Sequence, residues 1–236
     1  MVMRLARPRF IAIFVLVALI SGAGLFWWST HDARSAAEPP VYVALGASDA
    51  VGVGADQPMS EGWVPLVRRS LPDDPQLVNL GISGATLSDV INQELPVALD
   101  ARPAWVTLWP GINDLRHDVR RETFATNLDA LLERLNRQTT ARLIVLNIPD
   151  LRLVPAFASV DPVSLDQTVR EWNDVIAHSA RQQNAILVDL YGHSAEIAGH
   201  DEDISSDGFH PSTAGYRRIA DLVMKTVDAH GAASTP

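Results

Sequence analysis

Five short runs of apolar residues recur along the chain, each followed by glycine or polar residues. They are rich in valine, leucine and isoleucine and too short to be helices: Val41–Leu45, Leu77–Leu80, Trp105–Trp109, Leu143–Leu146 and Ile186–Leu190. This length and composition are typical of strands that are buried on both faces. We therefore predict five strands of one parallel sheet.

Longer segments with helical periodicity lie between and after these runs. One carries apolar side chains three or four positions apart on an otherwise polar background: Phe124, Leu128, Leu131, Leu132 and Leu135. The next begins with Asp161 as N-cap and Pro162 at its first position, followed by Leu165, Val169, Trp172 and Ile176. A third lies near the C-terminus, with Tyr216, Ile219, Ala220, Val223 and Val227. Each pattern predicts a helix with one buried face.

The alternation of strands and helices predicts the fold class. It favours an α/β fold in which helices cover both faces of an open parallel sheet. Ligands of such sheets bind outside the carboxyl ends of the strands. We therefore expect the functional residues in the loops that follow the strands.

The N-terminal segment differs from the rest of the chain. Phe10–Trp28 contains no charged residue, follows Arg4, Arg7 and Arg9, and as a helix is long enough for the roughly 30 Å of a bilayer interior. It predicts a single-pass membrane anchor with the remaining domain outside the cytoplasm. A signal peptide cleaved after the small residues Ser35–Ala37 is the alternative, and it also exports the domain.

The predicted organisation has four parts. Residues 1–28 form the anchor or signal segment, 29–40 a polar linker, 41–230 the globular domain, and 231–236 a flexible tail.

Composition excludes several classes of function. Hydrophobic residues make up 47% of the chain and charged residues 20%, which is typical of a globular protein. The formal net charge of −9 disfavours nucleic acid as a partner. The absence of cysteine excludes disulfides, thiolate metal sites and a cysteine nucleophile.

The loops after the strands contain the groups that acyl transfer requires. Ser48 follows the first strand, where its hydroxyl can attack a carbonyl if a base removes the proton. His210 lies three positions after Asp207, so one ring nitrogen can face the serine while the other faces the carboxylate. The backbone N–H groups of Ser48 and Gly84 and the side-chain amide of Asn113 are candidate donors to the oxyanion.

These residues occur in a recognisable order. Ser48 follows Gly46, Gly84 lies within NLGISGAT, Asn113 within GIND and His210 within DGFHPSTAGY. The chain resembles the SGNH (GDSL-like) hydrolase family, which is named for a serine, a glycine, an asparagine and a histidine in four separated blocks. The resemblance extends from about Val41 to the last predicted helix.

The resemblance implies a flavodoxin-like, three-layer α/β/α fold with a mostly five-stranded parallel sheet. It implies hydrolysis of carboxylic esters or thioesters through an acyl-enzyme, with neither a metal nor another cofactor. The expected substrate is a small-molecule, lipid or acylated-glycan ester. The first block departs from the usual Gly-Asp-Ser, because Ala47 stands where the family has aspartate and Asp49 follows the serine.

Other interpretations of the same residues are weaker. His193, His200 and the acidic residues 201–203 are close in sequence but lack the spacing of a metal motif, so we expect a solvated acidic rim and no metal. Asp114 is expected to hold its loop. Gly46–Gly54 lacks the pattern of a nucleotide-binding loop. Acyl transfer to an alcohol or sugar by the same residues stays open, and a non-catalytic glycan- or lipid-binding module is the third alternative.

Overall fold

The computed structural model describes residues 38–233. The predicted anchor, its alternative cleavage site, most of the linker and the last residues of the predicted tail lie outside this range. Within residues 38–233 no helix combines the length and the hydropathy needed to cross a bilayer.

The centre of the fold is a five-stranded, wholly parallel sheet with the strand order β2-β1-β3-β4-β5. The strands are β1 (Val41–Leu45), β2 (Gln76–Asn79), β3 (Trp105–Leu108), β4 (Arg142–Leu146) and β5 (Ile186–Val188). This order and the helices on both faces confirm the predicted flavodoxin-like α/β class. β1 pairs with β2 on one side and β3 on the other, so the chain reverses direction across the sheet at β1. A crevice opens at the carboxyl end of a strand in that position.

Helices account for most of the remaining chain. In chain order they are α1 (Ser48–Val51), α2 (Pro58–Glu61), α3 (Trp63–Ser70), α4 (Leu87–Asp89), α5 (Leu95–Asp100), α6 (Ile112–Arg116), α7 (Arg121–Gln138), α8 (Pro162–Gln182), α9 (Ser194–Ile197) and α10 (Thr213–Ala233). A π turn, Val90–Glu94, joins α4 to α5. Short 3₁₀ turns cover Leu151–Leu153, Pro155–Phe157 and Asp201–Asp203.

Two apolar layers hold the helices against the sheet. Successive residues of β1 contribute to opposite layers: Val43 lies in the layer with α7 and α8, and Tyr42 in the layer with α3 and α10. The predicted stripe of α7 is buried along its whole length: Phe124, Leu128, Leu131, Leu132 and Leu135. Burying one such side chain stabilises a fold by about 1.5–3 kcal/mol, which offsets part of the entropy lost on folding.

The three long helices follow the sequence pattern closely. Asp161 caps α8, because its carboxylate accepts a hydrogen bond from the Ser164 amide, and Pro162 is the first helical residue. The apolar residues predicted for α10 are buried, and the helix continues to Ala233. The tail predicted from residue 231 therefore begins inside this helix.

Candidate active site

The carboxyl end of β1 turns sharply into the short helix α1, and Ser48 is the first residue of that helix. Gly46 makes the turn with a φ of 143°, a conformation that other residues rarely adopt. Ser48 is half-buried and lines a cavity at this edge of the sheet. The local fold thus presents its hydroxyl group at the crevice beside β1.

His210 joins Ser48 to Asp207 by two hydrogen bonds. Its Nε2 lies 2.8 Å from the Ser48 Oγ, and its Nδ1 lies 2.6 Å from the Asp207 Oδ2. With the proton on Nδ1, the imidazole donates to the carboxylate and its Nε2 accepts from the serine hydroxyl. This chain of contacts can move the serine proton onto the imidazole while Asp207 balances the positive charge that develops.

A closed loop after the 3₁₀ turn Asp201–Asp203 positions His210. The Ser205 amide donates to the His210 carbonyl at 2.8 Å, and the Gly208 amide donates to the Ser205 carbonyl at 2.9 Å. Gly208 adopts a φ of 71°, which allows the tight turn. Pro211 pairs with Ile204 in an isolated antiparallel bridge and precedes the first residue of α10. The Asp207–His210 loop is therefore distinct from an ordinary helix start.

Asp207 is bound as an ionised carboxylate. Its Oδ1 accepts from the Ser205 hydroxyl at 2.7 Å, the Phe209 amide at 2.8 Å and the His210 amide at 2.9 Å. Partial burial alone would raise the pKa of Asp207. Hydrogen bonds from the His210 side chain, from these two amides and from Ser205 outweigh that effect and lower the pKa well below its ordinary value.

The three predicted oxyanion donors lie in the loops that border the same edge. Asn113 is buried, lines the cavity and donates one amide hydrogen to the Ala85 carbonyl at 3.0 Å. Gly84 precedes Ala85, has a φ of 83°, and faces open space where a Cβ atom would lie. Among the described residues, the N–H groups of Ser48 and Gly84 make no hydrogen bond to another protein group. These donors are therefore free to bind a ligand oxygen.

Asp114 was expected to hold its own loop, and its carboxylate instead fastens the neighbouring loop that contains Gly84. Both of its carboxylate oxygens accept from the Leu87 amide at 3.1 Å. Burial raises the pKa of Asp114, and the Leu87 amide partly offsets this. Thr86 and Asp89 form a capping box at the same helix start. The loop between β2 and α4 is thus fastened to α6.

The cavity beside Ser48 is mostly apolar. Its lining includes Leu87, Val90, Ile112, Leu151, Val154 and Phe209. The Phe209 ring packs edge-on against the His210 imidazole, with ring centroids 4.7 Å apart and planes at 76°. The Arg116 guanidinium stands 4.8 Å above the centroid of the Phe209 ring. The walls can bind a hydrocarbon group, and Phe209 restricts the orientation of the imidazole.

Two carboxyl groups lie beneath the turn Gly46–Ser48, here called the nucleophile turn after its candidate nucleophile: Asp49 is half-buried and Glu94 is buried. Asp49 Oδ1 accepts from the Ala47 amide at 3.1 Å, and Glu94 Oε2 accepts from the Gly46 amide at 2.9 Å. These contacts supply hydrogen bonds to the block in which Ala47 replaces the usual aspartate. Burial raises the pKa of Asp49 to about 6 and that of Glu94 to about 8, and Asp49 adds repulsion to Glu94.

Glu94 was not predicted as a site residue. Leu87, Val90, Leu95 and Ala98 are buried and follow the spacing i, i+3, i+8, i+11 of an apolar helix face, and Glu94 at i+7 falls on the same face. That pattern is the signal in the sequence that would have placed Glu94 in the core.

Two of the acidic side chains near the site form hydrogen bonds or ion pairs with neighbouring residues. Asp203 is fully buried and accepts from the Arg218 Nε at 2.8 Å, and the His193 Nδ1 lies 3.3 Å from the Glu196 Oε1. Within residues 38–233 no group of three histidine, aspartate or glutamate side chains is arranged to hold a metal ion.

Comparison with known proteins decides the family. A model described as GDSL-like Lipase/Acylhydrolase family matches residues 44–218, which include Ser48, Gly84, Asn113, Asp207 and His210. The chain belongs to this family. The GDSL-like protein is accordingly a hydrolase that acts on ester bonds.

Solved structures share the fold of this GDSL-like hydrolase. TesA is 24% identical with a TM-score of 0.66, over 80% of this chain and 98% of that one. LAE5, an α/β hydrolase enzyme from the metagenome of Lake Arreo, Spain, is 22% identical with a TM-score of 0.65, over 81% and 96%. Axe2, an acetylxylan esterase from Geobacillus stearothermophilus, is 18% identical with a TM-score of 0.66, over 80% and 94%. A search of curated protein sequences gave no match.

Proposed function

We propose that this GDSL-like hydrolase is an exported serine esterase with Ser48 as nucleophile. The observation that carries the proposal is the position of His210, whose Nε2 is 2.8 Å from the Ser48 Oγ while its Nδ1 is 2.6 Å from Asp207. Both distances are those of strong hydrogen bonds. A serine, a base and an orienting carboxylate in this relation are the components of covalent acyl transfer.

The reaction proceeds in two halves. His210 takes the Ser48 proton as the Oγ attacks the ester carbonyl carbon, and the tetrahedral intermediate carries its negative charge on the former carbonyl oxygen. The C–O bond to the alcohol breaks, His210 returns the proton to the leaving oxygen, and an acyl-Ser48 ester remains. Water then attacks that ester with His210 as base, which releases the acid and restores the serine.

The intermediate requires donors that are already in place. We assign this role to the N–H groups of Ser48 and Gly84 and to the second amide hydrogen of Asn113. The support is that Ser48 and Asn113 line the cavity, that Gly84 precedes the lining residue Ala85, and that the Asn113–Ala85 contact fixes the amide before substrate binds. Preorganised donors of this kind contribute about 2.7–4 kcal/mol each to transition-state binding.

The cavity indicates the class of ester. Its aliphatic and aromatic lining favours a substrate with a hydrocarbon acyl group, because each buried methylene contributes about 0.8 kcal/mol. We therefore propose esters or thioesters with acyl chains longer than acetyl. Axe2, a protein of the same fold, is an acetylxylan esterase, so an acylated glycan is the second substrate class for the test.

The test is hydrolysis of p-nitrophenyl esters from acetyl to palmitoyl by the full-length protein. We expect kcat/KM to rise from acetyl to longer chains, and Ser48→Ala to abolish turnover while the protein stays folded. A fluorophosphonate probe should label Ser48 alone. Labelling of another serine, full activity of Ser48→Ala, or a preference for acetyl would contradict the respective part of the proposal.

Acyl transfer is the alternative reaction of the same residues. Here an alcohol or sugar hydroxyl replaces water in the second half-reaction. Adding a primary alcohol to the assay distinguishes the two: a hydrolase still releases mainly free acid, whereas a transferase forms mainly the new ester. A non-catalytic binding module would give neither product.

The location is proposed from the N-terminal sequence. Phe10–Trp28 is uncharged and follows three arginines, which supports a membrane anchor with the catalytic domain outside the cytoplasm. The intact chain should then stay in the membrane fraction after alkaline extraction. A soluble mature chain that begins near Glu38 would instead support signal cleavage.

A further inference from the structure

The nucleophile turn rests on a carboxyl group from a distant part of the chain. Glu94 is 1% exposed, and its Oε2 accepts from the Gly46 amide, two residues before Ser48, at 2.9 Å. Its other oxygen, Oε1, is buried without a hydrogen-bond partner among the described residues. Burial of a carboxyl group in this state is costly, so the fold alone gives no reason to retain it.

A local irregularity of the backbone delivers this side chain. The π turn Val90–Glu94 inserts between α4 and α5, and Glu94 is its last residue. π turns are rare and occur frequently at functional sites. Here the turn allows Val90 to line the cavity while Glu94 reaches under Gly46. The same helix begins at the loop with Gly84, so Glu94 lies between two loops of the site.

Those two loops also contact each other directly. The Ile82 amide donates to the Gly46 carbonyl at 3.1 Å. Gly46 therefore bonds Glu94 through its N–H and the Gly84 loop through its carbonyl. Ala47 contributes no side-chain hydrogen bond at the position where the family pattern has an aspartate. Glu94, which is distant in the sequence, thus supplies a side-chain hydrogen-bond acceptor to this turn.

We propose that Glu94 is a positioning residue, which holds the nucleophile turn against the loop of Gly84 so that Ser48 and the oxyanion donors share one fixed geometry. The proposal rests on the proposed esterase function. The groups that face its carboxyl group are the Gly46 and Ile82 amides, Asp49 from α1 and Asp89 from α4. Burial and the two aspartates favour the neutral form, and ionisation would place a second negative charge beside Asp49.

The variants Glu94→Gln and Glu94→Leu separate the hydrogen bond from the charge. Glutamine keeps an acceptor for the Gly46 amide, so kcat/KM near pH 7 should stay close to wild type. Leucine leaves that amide unpaired, and kcat should fall between about tenfold and a hundredfold with little change in KM. Thr107→Val is the matched control, because it removes a buried hydrogen bond to Tyr42 and should lower only Tm.

The pH profile is the readout that a merely structural role would not change. Wild-type kcat/KM should fall above about pH 8, where Glu94 ionises, whereas Glu94→Gln should lack this alkaline limb. The wild-type fold loses stability as pH rises from the ordinary carboxyl range through the raised pKa. The gain in Tm of Glu94→Gln over wild type should therefore grow across the same interval.

The outcomes are distinguishable. If the wild-type enzyme hydrolyses esters and Glu94→Leu has the same kcat, the role of Glu94 is overturned and the esterase function stands. The role of Glu94 is also overturned if kcat/KM of Glu94→Gln still falls at alkaline pH. This second test does not require the leucine variant to fold. Wild-type protein without esterase activity would overturn the proposed function itself.

Discussion

Gly54 lies in direct contact with His210: a Cβ atom added to Gly54 would stand 2.9 Å from the His210 Cβ atom. The same atom would stand 2.4 Å from the Pro211 carbonyl oxygen, closer than atoms in contact can approach. The Tyr216 hydroxyl donates to the neighbouring Val53 carbonyl at 2.7 Å and ties this segment to α10. The segment after α1 thus forms a wall against which the histidine loop packs.

Gly54→Ala should impair catalysis without contacting substrate. The added methyl group must displace the His210 loop, and the φ of 100° at this position adds strain. A displacement of about 1 Å can reduce the rate about a hundredfold, so we expect kcat/KM to fall between tenfold and a hundredfold. Gly231→Ala is the control, since its Cβ would meet nothing within 4 Å. Wild-type kinetics in Gly54→Ala would show that the loop adjusts freely.

Asp207→Asn tests the orientation of the imidazole. The amide cannot balance the charge of the protonated ring, and it can bind the wrong tautomer. The corresponding change in one triad protease reduces kcat by about 10⁴, and we expect a loss of several orders of magnitude in steady-state hydrolysis. An Asp207→Asn enzyme within a few-fold of wild type would rule out this carboxylate as the partner of His210.

The same substitution should change the dependence of stability on pH. Because the pKa of Asp207 is lowered in the folded protein, its ionised form stabilises the fold above the ordinary carboxyl range, and this contribution disappears as pH falls. The Tm difference between wild type and Asp207→Asn should thus be largest near neutral pH and shrink below about pH 4. Asp161→Asn, at the exposed cap of α8, should leave activity unchanged. A Tm difference that is independent of pH would contradict this assignment.

Asn113→Ala removes a candidate oxyanion donor. Loss of one such donor typically lowers kcat by about 10²–10³, and KM should change little because the substrate carbonyl carries no full charge before attack. Asn147→Ala is a matched control: this buried amide also follows a strand, and it bonds Asp189 at 2.8 Å and the Tyr191 amide at 3.0 Å. It should reduce Tm more than kcat. Equal kinetic effects of both variants would argue against a specific role.

Chelation should leave ester hydrolysis unchanged. In the proposed mechanism, the serine, the histidine and the three oxyanion donors supply the nucleophile, the base and the charge stabilisation, so no metal ion is required. Activity of the full-length protein would be compared before and after prolonged treatment with EDTA, followed by addition of Zn²⁺ or Mg²⁺. Loss on chelation and recovery with one of the ions would point back to the acidic residues near His193 and His200.

Much of the fold could be predicted because its main signals are local. β1 lies inside the sheet and is buried on both faces, so Val41–Leu45 reads as a continuous apolar run, whereas the edge strand β2 is partly exposed. The stripe from Phe124 to Leu135 has one face against the core, and its period is that of a helix. The strand ends were less well predicted: β5 stops at Val188, two residues before the predicted run does, because Asp189 interrupts the run and accepts hydrogen bonds from the Asn147 side chain and the Gly192 amide.

The candidate site residues that lie in short sequence motifs could be predicted. Ser48, Asn113 and His210 stand in recognisable blocks, and the structure brings them to one cavity. Glu94 could not be found in this way, since its role depends on a π turn and on a contact to Gly46 across 48 positions of the chain. Likewise Gly54 appears as one more glycine of a loop, and only its proximity to His210 explains the need for it.

Ser48 and His210 are separated by 162 positions in the chain. The proposed nucleophile is therefore synthesised early, whereas its proposed base is made only with the last loop before the terminal helix. A nascent or proteolysed chain that ends before His210 has the serine and the oxyanion loops but cannot activate the hydroxyl group. In the proposed mechanism, ester hydrolysis therefore requires a chain that extends at least to this last loop.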